Sequence, residues 1–223
     1  MCGRFAFYSP SEATAALFGA SGSLDIKPRY NIAPTQDIAA ICLDEDGSRE
    51  LRSLRWGLVP SWAKDSSIGN RMINARAETV AEKPSFRAAY RKRRCLVLAD
   101  GFYEWHTESS GKAPYFISLG DGSPFAFAGL WEHWQNKDSD ETLYSATLMT
   151  MAANEFMSAL HHRMPIILDP ARADTWLAGG DDTIQNASQA ALRLKAWAVG
   201  REVNNPRNEG VNLITSAEPE LET

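Results

Sequence analysis

A cysteine at position 2 sits beside the amino terminus, where its side chain can act together with the main chain. The chain opens Met1-Cys2-Gly3-Arg4-Phe5, and a small second residue allows the initiator methionine to be trimmed. Trimming would leave a thiol and a free α-amine on adjacent carbons, a 1,2-aminothiol that no internal cysteine offers. An α-amine titrates at about 8 and a lysine at about 10.4, so near pH 7 about a tenth of the terminal amine is neutral and nucleophilic. The thiol, at about 8.5 when unperturbed, is then a few per cent thiolate. Such a pair captures aldehydes: the amine forms an imine, the sulfur closes on it, and a five-membered thiazolidine results. The same thiol could attack an amide with the amine as base. On a third reading Met1 stays and Cys2 is one more small buried residue.

Three further stretches carry chemistry. In Met72-Ile73-Asn74-Ala75-Arg76-Ala77-Glu78-Thr79 an extended backbone puts Asn74, Arg76 and Glu78 on one face and small apolar residues on the other, which suits a site wall. In Asp100-Gly101-Phe102-Tyr103-Glu104-Trp105-His106 alternation sets Phe102, Glu104 and His106 against Tyr103 and Trp105. A carboxyl among so many aromatics is partly desolvated and suits proton transfer, although an arginine could equally satisfy it at an edge. His161 is expected at the C-terminal end of a helix, where the dipole favours the imidazolium. Alone, a His-His pair is more often structural than catalytic.

The elements that must position these groups follow from patterning. Strands are expected over 3–8, 38–43, 51–59, 95–99, 114–119, 125–131, 143–151 and 166–168, with a hairpin turn over 44–48 and an exposed one over 135–141. Helices are expected from about 11 to 19, over 83–94 with Phe86, Ala89 and Tyr90 inward, over 155–162 capped by Asn154 with Phe156 and Leu160 as its core face, and over 170–177 and 188–196. The proline-punctuated stretch 28–35 and the polar stretch 65–70 read as loops. Trp56-Gly57-Leu58-Val59-Pro60-Ser61-Trp62 sets two tryptophans around a proline, either a core lid or a platform for bases. The run Arg91-Lys92-Arg93-Arg94 reads first as cations at a negative helix end. Residues 203–210 form a polar turn, and an acidic tail begins near 216.

The 223 residues, 44% hydrophobic and 23% charged, fit a single compact α+β domain without repeats or linkers. The opening has no apolar signal segment, and no run reaches transmembrane length. The three cysteines, Cys2, Cys42 and Cys95, are widely spaced and odd in number, so neither a disulfide framework nor a zinc site is implied. Cys42 and Cys95 read as strand-core thiols in a reducing, cytoplasmic setting. A net charge of −5 argues against coating nucleic acid by bulk charge, so any such contact needs a local basic site.

Taken together, Met1-Cys2-Gly3-Arg4-Phe5, Arg29-Tyr30-Asn31-Ile32-Ala33-Pro34, the Trp56–Trp62 stretch, Ile73-Asn74-Ala75-Arg76-Ala77-Glu78-Thr79, Asp100-Gly101-Phe102-Tyr103-Glu104-Trp105, His161-His162-Arg163-Met164-Pro165 and Val203-Asn204-Asn205-Pro206-Arg207-Asn208 resemble, in the same order, the SOS-response-associated peptidase family of abasic-site-processing proteins. The resemblance spans nearly the whole chain. It implies an α+β domain on a curved, barrel-like mixed or antiparallel sheet flanked by short helices. It also implies a monomer acting without cofactor or metal on single-stranded DNA that contains abasic sites. Cys2 would be the crosslinking nucleophile, Asn74 would help hold the site, and Glu104 and His161 would handle protons. Arg4, Arg76 and Arg163 would take phosphates, and Trp62 would abut bases. Two positions depart from the family pattern: His162 stands where aspartate is usual, and Ala63 follows Trp62 where a second tryptophan is usual. Rival readings are a cysteine hydrolase with Asn74 donating to an oxyanion, and a noncatalytic single-strand binder.

Overall fold

The computed structural model describes residues 2–109, 111–137, 139–180 and 192–217. Five of its longer strands form a closed ring: β3 (Asp37–Leu43), β4 (Arg49–Trp56), β6 (Arg94–Ala99), β9 (Phe125–Gln135) and β10 (Thr142–Ala152). Going round from β4 through β3, β6 and β9 to β10, every neighbour is antiparallel. Two register pairs, Ser145 with Arg55 and Ala146 with Trp56, then join β10 back to β4 in parallel, and that contact closes a five-stranded mixed barrel. Closure removes the exposed edges an open sheet of these apolar strands would carry. β12 (Ile167–Leu168) adds to β9.

A second sheet runs β13 (Leu194–Ala198), β8 (Gly111–Leu119), β7 (Gly101–Glu108), β1 (Phe5–Phe7), β2 (Arg29–Ile32). Aromatic edges join it to the barrel: the Phe5 ring stands 5.1 Å from Trp56 and 5.6 Å from Phe127, and Phe102 stands 6.0 Å from Phe127. All four side chains are buried, and each edge-to-face pair contributes about 1 kcal/mol beyond its burial. The β1 strand is thereby pinned between the two sheets, which fixes the residues just before it.

Short helices cover the outside: α1 (Ser11–Leu17), α2 (Arg87–Lys92), α3 (Glu155–Ser158) and α4 (Pro170–Leu177). Asp169 caps α4 by accepting the Arg172 amide at 2.9 Å, with Pro170 suited to the first turn. The Trp176 indole donates to the Cys95 carbonyl at 3.0 Å and ties α4 to β6. Among the described residues no helix is long and apolar enough to cross a membrane. None groups three or more metal-ligating side chains.

Several expected elements differ, each for a tertiary reason. Residues 29–32 form a strand rather than a loop, because β1 pairs with them (Phe5 with Ile32) while Pro28 and Pro34 lie just outside the ladder. The helix expected over 188–196 falls partly outside the described residues, and 194–198 is a strand that adds to the edge of β8. The helix expected over 83–94 shrinks to 87–92, since Arg94 is drawn into β6 and stacks on Tyr90 and Trp176. In the same basic run Arg93 pairs with buried Glu132 at 2.5 Å, so half of it is structural. The 65–70 stretch contains a 3-10 turn, Ser66–Arg71, capped by Asp65. The helix expected over 155–162 is one turn, 155–158; it buries Met157 and leaves Phe156 exposed. Cys42 and Cys95 are buried and face each other across β3 and β6, as strand-core thiols should.

Candidate active site

The site lies where the second sheet meets one end of the barrel. The late part of β10 is flanked on both sides by three-residue strands: β5 (Asn74–Arg76) runs parallel to it, with Asn74 opposite Leu148, and β11 (Arg163–Pro165) runs antiparallel, with Arg163 opposite Ala152. From the second sheet come Cys2 and Arg4, just before β1, and Glu104 on β7. The Tyr103 amide donates to the Arg4 carbonyl at 2.9 Å. This extends the Phe5–Phe102 pairing toward Cys2 and brings Glu104 alongside the amino-terminal segment.

Cys2 is fully buried. Asn74 donates from Nδ2 to the Cys2 carbonyl at 2.8 Å, while its own Oδ1 is buried without a partner among the described residues. The amide thus grips the main chain of the candidate nucleophile and keeps an acceptor in reserve beside it. Burial, and then the negative charge of Glu104, pushes the Cys2 thiol well above its usual range. The few per cent of thiolate expected from an unperturbed cysteine is therefore corrected: in this setting sulfur stays protonated and needs a base to react.

Glu104 is 5% exposed on the Phe102 side of β7, with Tyr103 and Trp105 turned to a separate cluster with Ala6 and Phe116, as alternation requires. His161 follows α3 in a turn, and its Nδ1 accepts the Arg163 amide at 2.9 Å. Accepting that bond places the proton of the neutral ring on Nε2, while the Arg163 carbonyl, 3.2 Å from the same Nδ1, would take Nδ1–H in the other tautomer. The expected imidazolium is not favoured: burial lowers the His161 pKa, an effect that Glu104 opposes and that His162, stacked on it at 4.2 Å, reinforces. A single helical turn offers too little dipole to outweigh desolvation. Cys2, Glu104 and His161 are close enough for the Glu104 charge to act on both others.

The basic residues separate into two kinds. Arg76 is exposed at the rim. Arg163 grips Glu78 with two bonds, at 2.6 and 3.0 Å, and donates to the Thr150 carbonyl at 2.9 Å, holding the Glu78 carboxyl below its usual range. Arg4 is half-buried, donating to Asn31 Oδ1 at 2.6 Å and to the Val203 carbonyl at 2.8 Å, beneath Trp105. These two guanidiniums already hold acceptors, unlike the open phosphate contacts expected of them. Of the two bracketing tryptophans, Trp56 is core and Trp62 is 59% exposed. Trp62 edges a cavity of about 350 Å³ with Lys64, Asp65 and Arg71.

One important residue carried no expected role. Asn31, fully buried, accepts from Arg4 and donates toward the carbonyls of Val203, Asn205 and Asn208. It clamps the 203–208 turn over the amino-terminal segment. Its signals in the sequence were its place in the Arg29-Tyr30-Asn31-Ile32-Ala33-Pro34 stretch that carries the family resemblance and its polar side chain beside the apolar Ile32 and Ala33.

Comparison with known proteins agrees along the chain. Residues 1–206 match the family described as SOS response associated peptidase (SRAP). The abasic site processing protein YoqW of Bacillus subtilis (strain 168) is 42% identical over 225 residues, covering 97% of this chain and all of that one. The abasic site processing protein HMCES of Xenopus tropicalis is 33% identical over 214 residues, covering 82% of this chain and 64% of its own length. A crystal structure of a protein from Bacteroides thetaiotaomicron superimposes with a TM-score of 0.85 at 24% identity, covering 97% of this chain and all of that one. That likeness establishes the fold.

Proposed function

The chain belongs to the SOS response associated peptidase family, and on that premise we propose that it processes abasic sites in single-stranded DNA by capturing them covalently on Cys2. The reading is carried by one observation: a buried cysteine one residue from the amino terminus shares its surroundings with Asn74, Glu104 and His161.

Removal of Met1 turns the Cys2 amide nitrogen into an amine. The neutral amine adds to the aldehyde carbon of the ring-opened abasic sugar, forming a carbinolamine. Loss of water gives the imine, and the Cys2 sulfur then adds to the imine carbon while its proton passes to nitrogen. The product is a thiazolidine, and the overall change is the loss of one water. Because the thiol is held protonated, Glu104 is the base that takes its proton and relays it. His161, accepting at Nδ1, presents Nε2–H as a hydrogen-bond donor to the departing oxygen, and the proton with which that oxygen leaves as water comes from solvent. Asn74 fixes the Cys2 main chain, and its unpartnered Oδ1 is positioned to accept from the new amine. Arg76 takes a phosphate, and Trp62 offers a face to a base. Arg4 and Arg163 act first as positioning residues, because a phosphate would have to displace Asn31 or Glu78 from them.

The test is a variant that keeps an extra residue ahead of Cys2. It is expected to bind abasic single strands as before and to form no heat-stable adduct. Undiminished adduct from the blocked chain would overturn capture by the amine, and loss of binding along with the adduct would point to misfolding instead.

A further inference from the structure

The end of the barrel away from Cys2 gathers a second set of groups. Trp131, His133 and Tyr144 place their ring centroids 6.3 to 6.4 Å from one another, tilted by 36° to 45°. They form a shallow aromatic bowl in which Tyr144 is 45% exposed. The bowl lines a cavity of about 480 Å³ with Leu43, Asp44, Glu45, Arg52 and Lys92, and Arg52 lies over Trp131 at 5.9 Å. A smaller cavity of about 100 Å³ shares Leu43, Lys92 and Trp131 and adds Arg91 and Arg94.

The cations here are of two kinds. Arg52 is already held by Asp44 and Glu50, and Arg94 is buried against its carbonyl acceptors. Arg91 and Lys92, the outer half of the basic run, are exposed and make no ion pair among the described residues. Aromatic faces beside these two exposed cations match a base with its phosphate, the phosphate falling to Arg91 and Lys92 because Asp44 and Glu50 already engage Arg52.

We propose that this end of the barrel is a second subsite, holding a nucleobase and phosphate of the same single strand whose lesion sits at Cys2. The proposal rests on the single-strand reading above. Asn74, which holds Cys2, pairs with Leu148, four residues along β10 from Tyr144, or roughly 13 Å. At about 3.4 Å per stacked nucleotide that is about four nucleotides, and fewer where the single strand is extended. Binding therefore depends on strand length: a strand must run a few nucleotides past the lesion to reach the bowl.

The test compares equilibrium binding of abasic oligonucleotides of about three nucleotides, with the lesion in the middle, and about twenty nucleotides to the full chain. The longer strand is expected to bind more tightly. Tyr144→Ala should weaken it by roughly 5-fold or more and leave the shorter one within about twofold. Lys92→Gln should flatten the salt dependence of the longer strand only, by about 0.7 of a log-log unit. Tyr144 is half-exposed, so its variant is expected to keep the wild-type melting temperature. Equal effects on both lengths, or none on either, would overturn the subsite. Binding of dTMP that a saturating long strand fails to displace would assign the bowl to a free nucleotide and overturn the strand. If adducts form at Cys2 with both lengths and affinity ignores length, only this subsite fails. If no adduct forms while affinity follows length, the covalent chemistry fails and the subsite stands.

Discussion

Glu104 carries the heaviest chemical demand at the scale of single residues. The Cys2 thiol is held protonated by burial and by Glu104 itself, so on the proposed mechanism each closing of the thiazolidine ring would pass a proton through a base and each opening would return it. Formation and reversal share that step. Glu104→Gln is expected to slow adduct formation and transfer to competitor abasic DNA together, by roughly 10²-fold; wild-type rates in both directions would make Glu104 a structural carboxylate. His161 makes a separate prediction through stability. Its folded pKa is lowered by burial, so below about pH 6.5 the unfolded chain binds the extra proton more readily. Its contribution is complete above that pH and is lost as pH falls toward the folded value. His161→Gln should therefore flatten the decline in melting temperature between pH 7 and pH 5. An unchanged decline would show that the ring is not desolvated. Cys2, Asn74 and Glu104 were legible from residue chemistry and from the family resemblance. The Arg163–Glu78 pair was not, because its partners lie 85 residues apart and nothing local to either encodes the contact.

At the scale of elements, the site depends on short pieces that only pairing makes regular. β5 and β11 have three residues each, and both are strands because β10 extends past β4 and β9 and offers them its edges. The longer strands were readable from apolar runs. β2 and β13 were not, since their strand state comes from β1 and β8 and propensity alone is a weak guide. The loop carrying Trp62 is held by a close backbone approach at Gly57, whose φ is +124° and whose added Cβ would fall 2.5 Å from the Gly69 carbonyl oxygen. Gly57→Ala is expected to cost about 2 kcal/mol or more of stability and to weaken single-strand binding. Gly47→Ala makes the control: its φ is +85° in open space, so it should cost about 1 kcal/mol and leave DNA binding unchanged. Denaturant unfolding and anisotropy on the same samples check both, and equal effects on binding would remove Gly57's special place.

Across the whole molecule the net charge of −5 means that affinity for a polyanion must come from a few local cations. Arg76→Ala should lower the log-log salt slope for single strands by about 0.7, with little change in melting temperature. Arg163→Ala should reduce stability, because it abandons Glu78 and the Thr150 carbonyl, and should change the slope less. A slope change confined to Arg163 would reverse those roles. The barrel and second sheet together bury the residues around position 2, and on the proposed function Cys2 reacts there in the company of Asn74, Glu104 and His161. The most direct measurement of that claim is the intact mass of the chain after mixing with an abasic single-stranded oligonucleotide. The account predicts one adduct, equal to the chain without Met1 plus the oligonucleotide minus one water, and absent from Cys2→Ala. An adduct that survives Cys2→Ala, or wild-type protein that returns with its mass unchanged, would contradict it.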